Sequence, residues 1–201
     1  MDKFSYLNDI SKADNLRLYI LEHTLQIEET TSKTLGYILD IDWEKSKSFG
    51  YSSVAFSFNQ KIQIIHDLKV LDNTDKQKLT VLMTIRNKFA HVKSINTFND
   101  LFNIESSGKE VKKNLDKWYS DKSDFGITDD EFRYKVFFYW LFLDVSFILV
   151  KKIGEDAIEK GKKAGKLELL IALKEELLNL PNGPEILSKT IERIKSGIKN
   201  I

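Results

Sequence analysis

The chain has 201 residues, 42% hydrophobic and 30% charged, a balance typical of one or two globular domains. Thirty-one Lys and Arg residues against 30 Asp and Glu residues exclude a uniformly basic protein that coats nucleic acid, although a local basic patch fits these totals. The absence of cysteine excludes a disulfide scaffold, a thiolate metal site and a cysteine nucleophile.

Hydrophobic periodicity predicts helices along most of the chain, and no segment alternates as a half-buried strand would. The predicted helices of the bundle span about 11–40, 53–71, 74–92, 107–118 and 128–153. The last three open with capping boxes, in which Ser or Thr and a Glu or Gln three residues later satisfy exposed amides. The last helix is apolar nearly all round, so we expect it to be the central one.

The composition changes after Ile153. Residues 154–166 are rich in Lys, Gly and Glu, which predicts a basic linker. Residues 167–201 contain two apolar helical segments separated by a Pro-Asn-Gly-Pro turn, which predicts a helical hairpin. The sequence therefore predicts an all-α protein with a bundle of about five helices at 1–153, the linker and the hairpin. The seam of the second hairpin helix is a candidate surface for a protein partner, and it comprises Leu187, Ile191, Ile194 and Ile198.

The third predicted helix ends in a motif that carries functional information, Ile85-Arg86-Asn87-Lys88-Phe89-Ala90-His91. An Arg, a polar residue and then a His at the end of an apolar helix resemble the signature of the HEPN superfamily. The sequence around the motif is most similar to the mannitol-repressor (MltR) branch of this superfamily. The similar residues are Lys61-Ile62, Asp67-Leu68 and Thr97-Phe98. The resemblance covers about residues 38–100.

The resemblance implies a small α-helical domain and two alternative functions. Many HEPN domains resemble metal-independent endoribonucleases of toxin or phage-defence systems, whereas others are inactive scaffolds. The resemblance to the mannitol-repressor branch implies a non-catalytic transcriptional regulator that acts through protein contacts. Because HEPN active grooves usually form between two protomers, the resemblance also implies a homodimer.

The chemistry of the motif residues fits RNA cleavage. Arg86 offers a permanent charge and a planar fork of donors for a phosphate, and His91 can transfer a proton near neutral pH. RNA supplies its own nucleophile, the 2′-OH, so the expected products carry 2′,3′-cyclic phosphate and 5′-OH ends. Asn87 would orient the imidazole ring or the phosphate, and Lys88 and Lys93 would contact the RNA backbone.

The helical spacing leaves the arrangement of these residues open. On a straight helix Arg86 and His91 are about 140° apart, whereas Asn87 and His91 share a face. Either the helix ends before His91, or Arg86 acts across a subunit interface. In a structural alternative, Arg86 pairs with Glu28 or Glu29 of the first helix and Asn87 caps carbonyl groups at the helix end.

Several other classes of site are not expected. Three histidines without cysteine give no zinc-ligand spacing, so neither a metal nor a cofactor is predicted. The most apolar stretch, 136–150, is shorter than the roughly 20 residues of a membrane span and contains Asp144. The sequence contains no evident helix-turn-helix pattern, so sequence-specific DNA binding is not expected. The N-terminal segment is polar and charged, which predicts a cytoplasmic location.

Overall fold

The computed structural model describes residues 15–68, 71–122, 127–179, 184–185, 187–189 and 191–192. All regular structure in these ranges is helical, which confirms the predicted all-α class. The helices are α1 (Leu16–Leu39), α2 (Phe58–Asp67), α3 (Asn73–His91), α4 (Phe98–Asn103), α5 (Glu105–Tyr119) and α6 (Asp130–Leu178), with a 3₁₀ turn at Ser120–Lys122. The chain divides into two compact units, Met1–Gly154 and Glu155–Ile201.

Side-chain caps set the starts of the first three helices. The Asn15 side chain caps α1, and a Ser57–Gln60 capping box opens α2 several residues later than the sequence predicts. Asp72 caps α3 by accepting from the Asp75 amide at 2.8 Å, so the predicted box that begins at Thr74 is wrong.

The short helix α4 is absent from the sequence prediction, and it changes the starts of its neighbours. Its own capping box joins Thr97 and Asp100, and the Glu131 carboxylate accepts from the Phe98 amide at 2.7 Å. The box predicted around Glu131 is therefore wrong, because this acid caps another helix. Helix α5 begins at Glu105 without a side-chain cap.

Helices α4 and α5 are in close contact, and α5 begins two residues before the predicted cap Ser107. Gly108 lies so near α4 that an added Cβ would be 2.0 Å from the Leu101 carbonyl oxygen. The first turn of α5 therefore packs directly on α4, and Ser107 does not start the helix.

The core of the first unit lies between α1, α3 and the first part of α6. The fully buried side chains there include Ile20, Ile27, Leu35, Leu82, Ile85, Phe89, Phe138, Leu141 and Val145. This part of α6 contributes many of these fully buried side chains, but Leu143, Phe147 and Val150 on the same helix expose 43%, 69% and 57% of their surface. The core fixes α3 firmly, and α3 carries the predicted motif.

In the second unit, residues 155–166 are helical and lie within the bounds of α6, and the role of 154–166 as a linker stays a prediction. Lysine, glutamate and alanine favour helix strongly enough to offset three glycines. Ion pairs one turn apart add to this preference, between Lys160 and Asp156 at 2.9 Å and between Lys163 and Glu159 at 2.7 Å. Ile194 and Ile198 of the predicted hairpin seam lie outside the described residues.

Candidate functional site

The end of α3 is held by a long-range hydrogen-bond network. The helix runs through His91, and the Val92 amide closes its last turn by donating to the Lys88 carbonyl oxygen at 3.0 Å. Arg17 of α1 donates from one guanidinium nitrogen to three carbonyl oxygens beyond the helix end, those of Val92 (3.1 Å), Lys93 (3.2 Å) and Ile95 (2.8 Å). Arg17 therefore fixes the backbone that follows His91.

The three motif residues line one open cleft of about 420 Å³, which we call the α3 cleft. Its other lining residues are Glu28 of α1 and Ser57, Phe58 and Asn59 at the start of α2. Arg86 and His91 thus reach the same cleft within a single chain, although the helix does not end before His91. The start of α2 adds the partial positive charge of a helix N-terminus to this wall.

Arg86 is positioned by its neighbour. Its Nη1 donates to the Asn87 Oδ1 at 3.0 Å, so Asn87 orients the guanidinium rather than the His91 ring. Among the described residues, no carboxylate lies within ion-pair distance of Arg86. The predicted structural alternative is therefore not formed: Glu29 pairs with Lys33 at 2.7 Å, and the Glu28 carboxylate lies 4.0 Å from the Lys61 Nζ.

His91 is exposed, and its ring makes no hydrogen bond to any residue within the described ranges. The imidazole is thus accessible from solvent on the last turn of α3. A histidine in the last turn of a helix can donate to the final carbonyl oxygens, and His91 makes no such bond within the described residues. Its setting leaves both ring nitrogens available to a ligand in the cleft.

The two lysines predicted to contact RNA lie outside the residues that line the α3 cleft. The Lys88 Nζ lies 3.1 Å from the Glu105 carboxylate, so its charge is largely compensated by α5. Lys93 is exposed, and its carbonyl oxygen is one of the three that accept from Arg17.

A second cleft of about 450 Å³ adjoins the first and shares Glu28 and Ser57 with it. We call it the aromatic cleft, because its lining includes Trp43, Phe49, Tyr51 and Phe56. Lys61 also lines it, with only 4% of its surface exposed, and its Nζ donates to the Ser32 Oγ at 3.0 Å. Burial lowers the pKa of Lys61 below its ordinary value, and the Glu28 carboxylate partly offsets this effect.

Sequence reasoning missed Arg17 and Lys61. The pattern does contain a signal for Lys61, because it lies three residues after Phe58 on the apolar face that Ile62 and Ile65 continue. A lysine on such a face must be either extended to solvent or buried with partners. Arg17 gives no comparable signal, since its partners lie more than 70 residues away.

Within the described ranges, no group of three or more His, Asp or Glu side chains is placed to hold a metal ion. None of the helices in those ranges combines the length and hydropathy that a membrane-spanning segment requires.

Comparison with known proteins gives no relative for this chain. No protein-family model matches it, and no curated protein or solved structure matches it significantly. The HEPN resemblance of residues 38–100 therefore stays a prediction.

Proposed function

We propose that the protein is a metal-independent endoribonuclease of the HEPN-like type, which acts in the cytoplasm in a toxin or phage-defence role. The observation that carries this proposal is that Arg86, Asn87, His91 and Glu28 all line the same open cleft. A phosphate-binding guanidinium and two groups able to transfer protons are the components that RNA cleavage by transesterification needs.

In the proposed reaction, the 2′-oxygen of the RNA attacks the adjacent phosphorus while the bond from phosphorus to the 5′-oxygen breaks. One group removes the proton from the 2′-OH, and another protonates the departing 5′-oxygen. His91 and Glu28 line the cleft and supply these two roles. Arg86, oriented by Asn87, binds the non-bridging oxygens as negative charge develops on them.

The charges of the cleft are compatible with a phosphate. Glu28 alone would repel it, but the Lys61 ammonium lies 4.0 Å from the Glu28 carboxylate and offsets that charge. Arg86 has no carboxylate partner among the described residues, so its charge remains available to the substrate. The start of α2 adds partial positive charge on the same wall.

The test is cleavage of an end-labelled, mixed-sequence RNA by the purified protein in EDTA. We expect products with 2′,3′-cyclic phosphate and 5′-OH ends, and no cleavage of DNA of the same sequence. His91→Ala and Arg86→Gln should each slow cleavage by at least about 100-fold. Arg133→Gln is the matched control, since Arg133 pairs with Asp130 outside the α3 cleft.

Two results would contradict the proposal. An inert wild-type protein would remove the ribonuclease activity, and equal cleavage by the wild type and both cleft variants would assign that activity to a contaminant or another site. Unfolding curves of the variants would establish that any loss of activity does not come from loss of structure.

A second candidate is a non-catalytic regulator of the mannitol-repressor type that acts through protein contacts. The exposed apolar side chains Leu143, Phe147 and Val150 favour it, because they follow one another at helical spacing along α6. In this case Phe147→Glu should abolish the capture of a partner protein, or the homodimer that the resemblance implies, whereas Arg86→Gln should preserve both.

A further inference from the structure

The α3 cleft and the aromatic cleft are neighbours with a shared wall. Glu28 and Ser57 line both, so a ligand held at Arg86 can extend past these residues into the second cleft. The aromatic cleft has a volume of about 450 Å³, which is within the range of small-ligand pockets. A nucleic acid strand with a phosphate at Arg86 would bring a neighbouring nucleoside to this position.

Exposed aromatic rings form one side of the aromatic cleft. The Trp43 and Tyr51 ring centroids are 5.6 Å apart, and so are those of Phe49 and Phe56. Tyr51 exposes 78% of its surface and Phe56 exposes 37%, so neither ring is fully used by the core. Exposed aromatic rings beside a polar cleft are the usual platform on which unpaired bases stack.

The buried lysine gives the aromatic cleft a polar donor. The Lys61 ammonium has three N–H donors, and the Ser32 Oγ is its one hydrogen-bond acceptor among the described residues. Keeping this charge at 4% exposure costs free energy unless further partners bind it. The Lys61 ammonium can therefore donate to an acceptor on the Watson–Crick edge of a base that enters the cleft.

The cleft is pre-formed by a close contact that requires glycine. At Gly36 of α1, an added Cβ would lie 2.8 Å from the Ile41 carbonyl oxygen and 2.9 Å from the Trp43 Cβ. The loop after α1 therefore packs directly on the helix and holds Trp43 at the cleft. A pre-formed wall binds a ligand without a large cost of ordering.

We propose that the aromatic cleft is a base-binding subsite, which accepts one unpaired nucleobase of a single-stranded RNA whose neighbouring phosphate lies at Arg86. This inference rests on the proposed ribonuclease function and names its substrate class. The base stacks on Tyr51, and its Watson–Crick edge accepts a hydrogen bond from Lys61. Double-stranded RNA is a poor ligand, because pairing already occupies that edge.

The test is fluorescence anisotropy with a labelled, 2′-O-methylated hexanucleotide of mixed sequence, which binds but cannot be cleaved. We expect the single strand to bind at least 10-fold more tightly than its duplex. Tyr51→Ala should weaken binding by about 10-fold, within the range measured for base–aromatic stacking. Lys61→Met should also weaken it, whereas Tyr37→Ala, which removes an exposed tyrosine of α1 outside the cleft, should not.

Each outcome separates the subsite from the cleavage activity. Unchanged binding by both Tyr51→Ala and Lys61→Met would overturn the subsite, even if the wild type cleaves RNA. Weaker binding by a Tyr51→Ala protein whose unfolding curve matches that of the wild type would support it. Equal affinity for single strand and duplex would overturn it, and so would binding of a free nucleoside monophosphate without binding of the hexanucleotide. Binding without any cleavage would contradict the ribonuclease proposal and leave only an RNA-binding cleft.

Discussion

The two ends of α3 both carry polar and charged side chains, but they use them differently. At the N-terminal end, the Lys78 Nζ lies 2.5 Å from the Asp144 carboxylate, which also accepts from the Tyr119 hydroxyl at 2.8 Å. At the C-terminal end, Arg86 is bonded only to the neighbouring Asn87 among the described residues, and His91 is exposed.

This difference separates structural polar groups from groups available for chemistry. The first end also borders a cleft of about 220 Å³, whose polar lining residues are Asp72, Asp75, Lys78, Asp144, Lys151 and Lys152. The Lys78–Asp144 pair ties α3 to α6 there, and the Tyr119 hydroxyl ties α5 to the same carboxylate. A polar lining alone therefore does not mark a site. What distinguishes the α3 cleft is a cation without a carboxylate partner within the described chain.

The largest expected effect is at Glu28, the second group proposed to transfer a proton. Glu28→Gln should lower the maximal cleavage rate by about 100-fold or more, because an amide cannot take or supply the proton. Glu22→Gln is the control, since Glu22 is an exposed residue of the same helix and lines neither the α3 cleft nor the aromatic cleft. Initial rates at saturating RNA provide the measurement, and equal rates for the two variants would remove Glu28 from the mechanism.

A smaller effect, on stability alone, is expected at the other end of α3. Asp144→Ala leaves the Lys78 ammonium and the Tyr119 hydroxyl without their shared acceptor. We expect the free energy of unfolding to fall by about 2–3 kcal/mol, as for the loss of hydrogen bonds to a charged group. Arg86→Gln should change it by less than about 1 kcal/mol. Urea unfolding measures the free-energy change of each variant. A larger loss of stability in Arg86→Gln than in Asp144→Ala would contradict the contrast between the two ends of α3.

The smallest expected effect is a loss of folding stability at alkaline pH, to which Tyr119 contributes. Burial, together with the hydrogen bond to Asp144, raises the pKa of Tyr119 above its ordinary value. The folded state therefore keeps this proton when the unfolded chain loses it. The stabilisation is fully present below about pH 10 and is lost as the pH rises further.

Melting temperatures measured between pH 8 and 11 should fall less steeply for Tyr119→Phe than for the wild type. Tyr51→Phe is the control, because Tyr51 is 78% exposed, and it should follow the wild type. If the melting temperatures of the wild type and both variants fall equally with pH, the Tyr119 hydroxyl does not contribute to the loss of stability at alkaline pH.

Much of the helical architecture follows from local sequence patterns. Periodicity predicts the buried face of α3, with Leu82, Ile85 and Phe89, because burial selects the 3.6-residue repeat. Helix α4 escapes prediction because six residues are too few to establish a period. The start of α3 is mispredicted because two caps compete: Asp72 takes the amide, and Gln77 donates instead to Asn114 across to α5.

In the candidate site too, some residues are brought together by a local motif and others only by tertiary packing. Arg86, Asn87 and His91 come from one short segment, so a local motif is enough to bring them to one cleft. Glu28 was predicted as a partner of Arg86, yet it lies beside Lys61, because the choice between two cations depends on tertiary packing. The aromatic cleft joins α1, the following loop and α2, and no local pattern predicts such a meeting.

The most direct test compares Arg86→Gln with Asp144→Ala, measuring RNA cleavage and urea unfolding on the same preparations. We expect Arg86→Gln to be nearly as stable as the wild type and at least about 100-fold slower in cleavage. We expect Asp144→Ala to be less stable but to cleave at the wild-type rate at temperatures where it remains folded. An Arg86→Gln protein that cleaves RNA as fast as the wild type would contradict the assignment of the α3 cleft as the active site.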